Sequence, residues 1–176
     1  MSSLYIAFDL NNQDKNKLML NYEYLKNNAE GDFVDPTTFH ITCTFLSKDQ
    51  NNINEAINGL KLFKEKYTVN KVNLYAKDFC MFEQGVMWMG VHNSMPLYII
   101  KKNIEQCLIE SGFPLKKDKF GQYIPHITMG YDVKPFPSLN RQFADIDLCI
   151  DGLSLWASPK CNDTYITNCI YKVDFK

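Results

Sequence analysis

The seven residues from 4 to 10, Leu-Tyr-Ile-Ala-Phe-Asp-Leu, form a short apolar run that predicts a β-strand. Leu18, Tyr22 and Leu25 then recur at helical spacing. Asn11 or Asn12 stands where a cap belongs, and Gly31 and Pro36 end the segment. Residues 39 to 46, rich in β-branched and aromatic side chains, predict a second strand. Between 52 and 66 the stripe Ile53, Ile57, Leu60 and Phe63 or Lys64 predicts a helix. Residues 69 to 82 and 86 to 91 read as strands joined at Glu83-Gln84-Gly85. Pro96 opens a third helix with Leu97, Ile100, Ile104 and Leu108 on one face, closed by Ser111-Gly112. A loop from 113 to 123, a strand at 126 to 131, a proline-rich excursion from Lys134, and strands near 143 to 157 and 164 to 174 complete the chain. Cys161-Asn162-Asp163 supplies the last turn.

This order contains a weak repeat. The tripeptide His-Ile-Thr occurs at 40 to 42 and again at 126 to 128, each time on a predicted strand that follows a strand, a helix and a loop. The opening strands match in kind, because Tyr5 in Leu-Tyr-Ile-Ala-Phe and Trp88 in Met-Trp-Met-Gly-Val hold corresponding places. Two duplicated halves facing each other bring the tripeptides together across a cleft.

Strand alternation puts the histidine and threonine of each tripeptide on one face and the isoleucine on the other. The expected site therefore has two imidazoles and two hydroxyls: His40, Thr42, His126 and Thr128. That set suits a phosphodiester. One imidazole removes a proton from the attacking oxygen, the other protonates the leaving oxygen, and the hydroxyls bind the non-bridging oxygens as charge develops. Which histidine plays which part is open. Neither tripeptide has a nearby Asp, Glu or Cys at ligand spacing, so no metal and no cofactor is expected. Cys43 follows the first tripeptide but alternation turns it away from His40. His92, with no threonine two places on, reads as a surface or loop-capping residue.

Composition narrows the partners. The chain has 176 residues, 45% hydrophobic and 22% charged, with a formal net charge of −1. That is an ordinary globular balance of a size that fits a single domain, 1–176, of two intertwined lobes. There is no broad cationic field for long nucleic acid. Of its 19 basic residues only Arg141 is an arginine, so a phosphate site must use hydroxyls, backbone amides, lysine or histidine. The lysine and asparagine bias reads as an AT-rich genome. Six scattered cysteines without a paired spacing, no long apolar segment and no basic leader are expected of a cytoplasmic monomer with free thiols and no membrane partner.

The paired motifs in their contexts, Thr-Phe-His-Ile-Thr-Cys-Thr-Phe-Leu and Pro-His-Ile-Thr-Met-Gly-Tyr, resemble those of the 2H phosphoesterase superfamily, with its LigT-like fold. The resemblance implies a bilobal α+β protein, with two pseudo-symmetric antiparallel sheets lining a central cleft and helices packed outside. It also implies metal-independent cleavage at 2'-linked phosphates, with His40, Thr42, His126 and Thr128 as the catalytic set. The superfamily includes enzymes acting on cyclic dinucleotides or 2'-5' oligoadenylate, and RNA-processing enzymes that open 2',3'-cyclic phosphates. A compact, AT-rich chain fits a viral or phage immune-evasion enzyme that acts on a small nucleotide. RNA end repair and a non-catalytic nucleotide-binding module remain alternatives. Tyr5, Trp88, Trp156 and Tyr131 are candidates to stack a nucleobase, with core packing as the competing role. Lys48, Lys116, Lys117 and Lys119 are candidates to steer a phosphate.

Overall fold

The computed structural model describes residues 3–47, 52–115, 122–134, 143–158, 160–161, 164–165 and 167–176. Strand β1 (Ser3–Asp9) leads into helix α1 (Asn12–Asn28), a two-residue strand β2 (Asp32–Phe33), a 3₁₀ turn (Pro36–Thr38) and β3 (His40–Ser47). Helix α2 (Ile53–Lys66), β4 (Val72–Met81), β5 (Met87–His92), α3 (Met95–Glu110) and β6 (His126–Tyr131) follow. The chain ends with β7 (Ile146–Ile150), β8 (Gly152–Ser158), the small pair β9 (Lys160–Cys161) and β10 (Thr164–Tyr165), and β11 (Asn168–Asp174). None of the described helices is long and apolar enough to cross a membrane.

Local chemistry accounts for the boundaries. Asn11 caps α1, its side-chain oxygen accepting from Asp14 N at 2.9 Å. Pro96 sits in the first turn of α3, where its missing N–H costs nothing. Gly85 closes the β4–β5 turn with φ +75°, and its N–H donates to Phe82 O at 2.9 Å.

All pairings are antiparallel, and the strand order is β11-β8-β1-β3-β6-β5-β4-β7, with β2 beside β6. The two expected sheets are thus two halves of one sheet. One half is β11-β8-β1-β3, the other β6-β5-β4-β7, and they join where Ile41 pairs with Ile127. One face carries the core: Leu4, Ile6, Phe8, Ile41, Met87, Met89, Ile127, Leu153 and Leu155 are all at 0% exposure. Helices cross between the halves. On α1, Asp14 accepts from Cys149 N of β7 at 2.8 Å, whereas Glu105 on α3 accepts from the Thr44 hydroxyl of β3 at 3.3 Å. Helices α1 and α3 therefore each pack against the half that their preceding strand does not belong to.

The strand expected near 143 to 157 is two strands at distant places in the sheet. At Asp151 the chain leaves β7, at the edge beside β4, and enters β8 between β11 and β1. Gly152 allows the entry, since a Cβ there would stand 2.9 Å from Val173 O. The expected 164 to 174 strand is likewise divided into β10 and β11, and β4 starts at Val72 rather than 69. Asn162 and Asp163, and the proline-rich excursion beyond Lys134, lie outside the described residues.

Candidate functional site

β3 and β6, the strands that carry the repeated tripeptides, are neighbours at the junction of the two halves. Ile41 and Ile127 point into the core at 0% exposure, so alternation turns His40, Thr42, His126 and Thr128 to the opposite face, where all four are half-buried. Antiparallel pairing of Ile41 with Ile127 sets His40 on the Thr128 side and Thr42 on the His126 side. The two tripeptides thus meet, as the repeat predicts.

Both rings are held in the same way. His40 Nδ1 lies 2.8 Å from Thr38 O, and His126 Nδ1 lies 2.7 Å from Ile124 O, in each case the carbonyl two residues upstream. A carbonyl only accepts, so each Nδ1 carries a proton and donates, leaving Nε2 as the chemically active nitrogen. Thr42 Oγ1 stands 3.3 Å from His40 Nε2. Burial pulls both imidazoles below their ordinary pKa, and the carbonyl bonds act the other way. His40 also feels Asp9, which favours its charged form, and Lys15 and His126, which oppose it. Asp9 is the direct β1 partner of His40 and accepts a short hydrogen bond from the Ser154 hydroxyl.

Aromatic rings flank each imidazole. Tyr5 stacks on His40 at 5.4 Å and 29°, while Trp88 and Phe82 contact His126 at 5.5 and 5.4 Å. Trp88 Nε1 is buried and has no hydrogen-bond acceptor among the described residues. Trp156 pairs directly with Tyr5, which gives it the same face. Tyr131 is 51% exposed, and its phenol is near enough to Tyr5 to help raise that hydroxyl's pKa, behind burial as the main cause.

The sequence alignment of Tyr5 with Trp88 is not the structural equivalence. Across from Thr128 stands Trp88, but across from Thr42 stands Ala7, and Gly90 rather than an acid faces His126. Both ladders keep regular register through the tripeptides and become irregular only beyond them, at Ile6/Ala7 and Met87/Trp88. The same irregularities in the β1–β3 ladder bring in a residue that sequence reasoning missed. Plain alternation from His40 puts Phe45 on the core face. The register instead steps from Ala7–Thr42 to Ile6–Thr44 and Tyr5–Phe45, which buries Thr44 and brings Phe45 out beside Tyr5 at 52% exposure.

His92 ends β5 on the surface, its ring stacked on Tyr75 at 5.1 Å and 7°. Cys43 is buried, which drives its thiol pKa far up and leaves it inert. Among the described residues, no group of three or more His, Cys, Asp or Glu converges as a metal site would need. Lys48, Lys116, Lys117 and Lys119 lie outside the described residues.

No protein-family model and no curated protein matches the sequence. Solved structures do match. Escherichia coli LigT superposes with a TM-score of 0.78 at 16% identity, covering 99% of this chain and 97% of that one. A structure described as a phosphoesterase gives 0.76 at 17% identity, with 99% and 98% covered. This is the LigT-like fold. The MHV ns2 PDE domain shares it more distantly, at a TM-score of 0.60 and 14% identity over 88% of this chain and 97% of that one. Crystal structures of LigT exist with ATP, 3'-AMP, NADP+ and phosphate.

Proposed function

We propose that this chain is a metal-independent 2H phosphodiesterase acting on 2'-linked or cyclic phosphodiester bonds of small nucleotides. The reading rests above all on the two imidazoles, each with Nδ1 tied to the carbonyl two residues upstream and Nε2 left for chemistry. One Nε2 takes the proton of the attacking oxygen as that oxygen bonds to phosphorus. The bond to the leaving oxygen breaks, and the second Nε2 delivers its proton there. Thr42 and Thr128 hydroxyls donate to the non-bridging oxygens, a role that neutral donors must fill where arginine is scarce. Tyr5, Trp156 and Phe45 on one half, and Trp88 on the other, offer surfaces on which a base stacks.

Support comes from the nucleotides seen in LigT and from the phosphodiesterase domain among the structural neighbours. Within this reading the substrate is a nucleotide signal, a cyclic dinucleotide such as cGAMP or 2'-5' oligoadenylate, as befits a signal-degrading viral or phage enzyme. The test is chromatographic, with EDTA present. Wild type and the His40→Ala/His126→Ala double variant are incubated with 2'3'-cGAMP, 3'3'-cGAMP, 2'-5' oligoadenylate and an RNA ending in a 2',3'-cyclic phosphate. Cleavage of a signal nucleotide by wild type alone is the expected result. Cleavage of the RNA end alone reassigns the enzyme to RNA processing. No cleavage, with the nucleotides recovered intact, overturns the enzyme reading in favour of sequestration.

A further inference from the structure

Among the described residues the two halves of the sheet join through one ladder pair, Ile41–Ile127, a narrow seam for strands that must hold two imidazoles in register. A second tie crosses beside it. Tyr123, three residues ahead of His126, donates its hydroxyl to Thr42 O at 2.8 Å. Its own carbonyl accepts from the Tyr98 hydroxyl of α3 at 2.5 Å, and the two rings meet edge-on at 5.1 Å. The Lys101 ammonium lies 5.4 Å from the Tyr123 ring centre and is ion-paired with Glu105, which in turn accepts from Thr44. Lys101 is 8% exposed and Thr44 also 8%, so this network is built into the interior. Thr42 and Thr44 of β3, α3, and the segment that presents His126 are thereby clamped together. Within that segment Ile124, one residue on from Tyr123, supplies the carbonyl that orients the His126 ring.

We propose that Tyr123 is a positioning residue, its hydroxyl fixing the separation and mutual orientation of the His40–Thr42 and His126–Thr128 pairs. This role rests on the reading of those pairs as the reacting groups. The phenol is suited to it, because burial raises its pKa far above neutrality and keeps it a donor. A small displacement of either imidazole costs turnover steeply, on the order of a hundredfold for about 1 Å.

The decisive variant is Tyr123→Phe, which keeps the ring against Lys101 and Tyr98 and removes only the hydroxyl. Its kcat and KM on 2'-5' oligoadenylate or 2'3'-cGAMP, whichever the wild type cleaves, are measured beside its melting temperature and the imidazole NMR signals. The expected result is a kcat about ten- to a hundredfold lower, with KM within about twofold and the protein folded. The ring signals of His40 and His126 shift while those of His92 stay in place. Tyr98→Phe gives a smaller change of the same kind. Unchanged kcat and unmoved signals, or a loss of activity that only tracks the unfolded fraction, overturn the proposal. If wild type cleaves no nucleotide, the phosphodiesterase reading falls, and the NMR comparison alone decides whether Tyr123 sets the two rings.

Discussion

Asp9 stands directly across the β1–β3 ladder from His40, whereas the corresponding residue across from His126 is Gly90. The two halves match in backbone but not in charge. Two imidazoles at one site disfavour a second proton, and when the pair holds one the Asp9 carboxylate favours its residence on His40, against burial, which is the larger influence on that ring. On the proposed mechanism His40 is then the acid and His126 the base. Activity falls at high pH when His40 loses its proton, and at low pH when His126 gains one. Asp9→Asn removes the favourable charge, which lowers the His40 pKa and moves the alkaline limb of the kcat/KM profile to lower pH. Movement of the acid limb instead would reverse the two assignments.

Replacing either ring tests the chemistry itself. His40→Ala and His126→Ala should each lower turnover by about two to four orders of magnitude, the ordinary worth of a positioned acid or base. Because the two rings act as a unit, the double variant should lose little more than the worse single one. Quenched-flow or chromatographic rates in EDTA check this, and multiplicative losses would argue against concerted use of the pair.

The same two rings tie stability to pH. Both have folded pKa values below their ordinary 6.5, so the unfolded chain binds protons more readily than the folded one. Their contribution is complete above that value and is lost as pH falls from it through the folded values. The urea midpoint of the wild type is therefore expected to drop between pH 7 and pH 5. His40→Asn/His126→Asn should flatten the drop, as measured by fluorescence-detected unfolding at both pH values.

Much of this was legible in the sequence because it depends on period and repetition. His-Ile-Thr on a strand fixes which side chains share a face, and its recurrence foretold that β3 and β6 would meet. The helix boundaries followed from Asn11, Pro96 and Gly112, each of which acts on its own few neighbours. What escaped depended on register. The bulge that skips Cys43 is set by pairing with β1, and nothing in Cys-Thr-Phe announces it, so plain alternation hides Phe45. The partners of Thr42 and Thr128, Ala7 and Trp88, are likewise fixed only by pairing, which is why Tyr5 was matched with the wrong place on β5. The division at Asp151 escaped for a related reason. Its flanking residues are equally apolar, and only the sheet order shows that they belong to opposite halves.

Phe45 makes a prediction of its own. An aromatic ring 52% exposed beside Tyr5 and Trp156 gains little in the free protein and much under a base. Phe45→Ala should leave folding almost unchanged and raise KM for the nucleotide by about five- to a hundredfold, the worth of one stacking contact of about 1–3 kcal/mol. Steady-state kinetics and a thermal melt separate this from a packing role, in which the melting temperature falls and KM holds.

Asp14 carries the last prediction, away from the site. Its carboxylate is 2% exposed and accepts from Asn11 Nδ2 at 3.2 Å, Lys17 Nζ at 2.6 Å and the backbone N of Cys149 at 2.8 Å. The bond from Cys149 fastens α1 to β7, across the boundary between the halves. Lys17 is 39% exposed and returns to water when its partner goes, so its loss costs little. The Cys149 N–H, on a half-buried residue of the edge strand β7, loses the bond that ties it to α1, at a cost of about 1–3 kcal/mol where water does not replace the partner. Asp14→Ala should therefore lower the melting temperature by roughly 2–10 °C for a chain of this size. Asp14→Asn, which keeps an acceptor for Cys149 N, should recover about half of the loss. Equal losses in the two variants would show that the carboxylate charge, rather than the bond to β7, is what holds the helix in place.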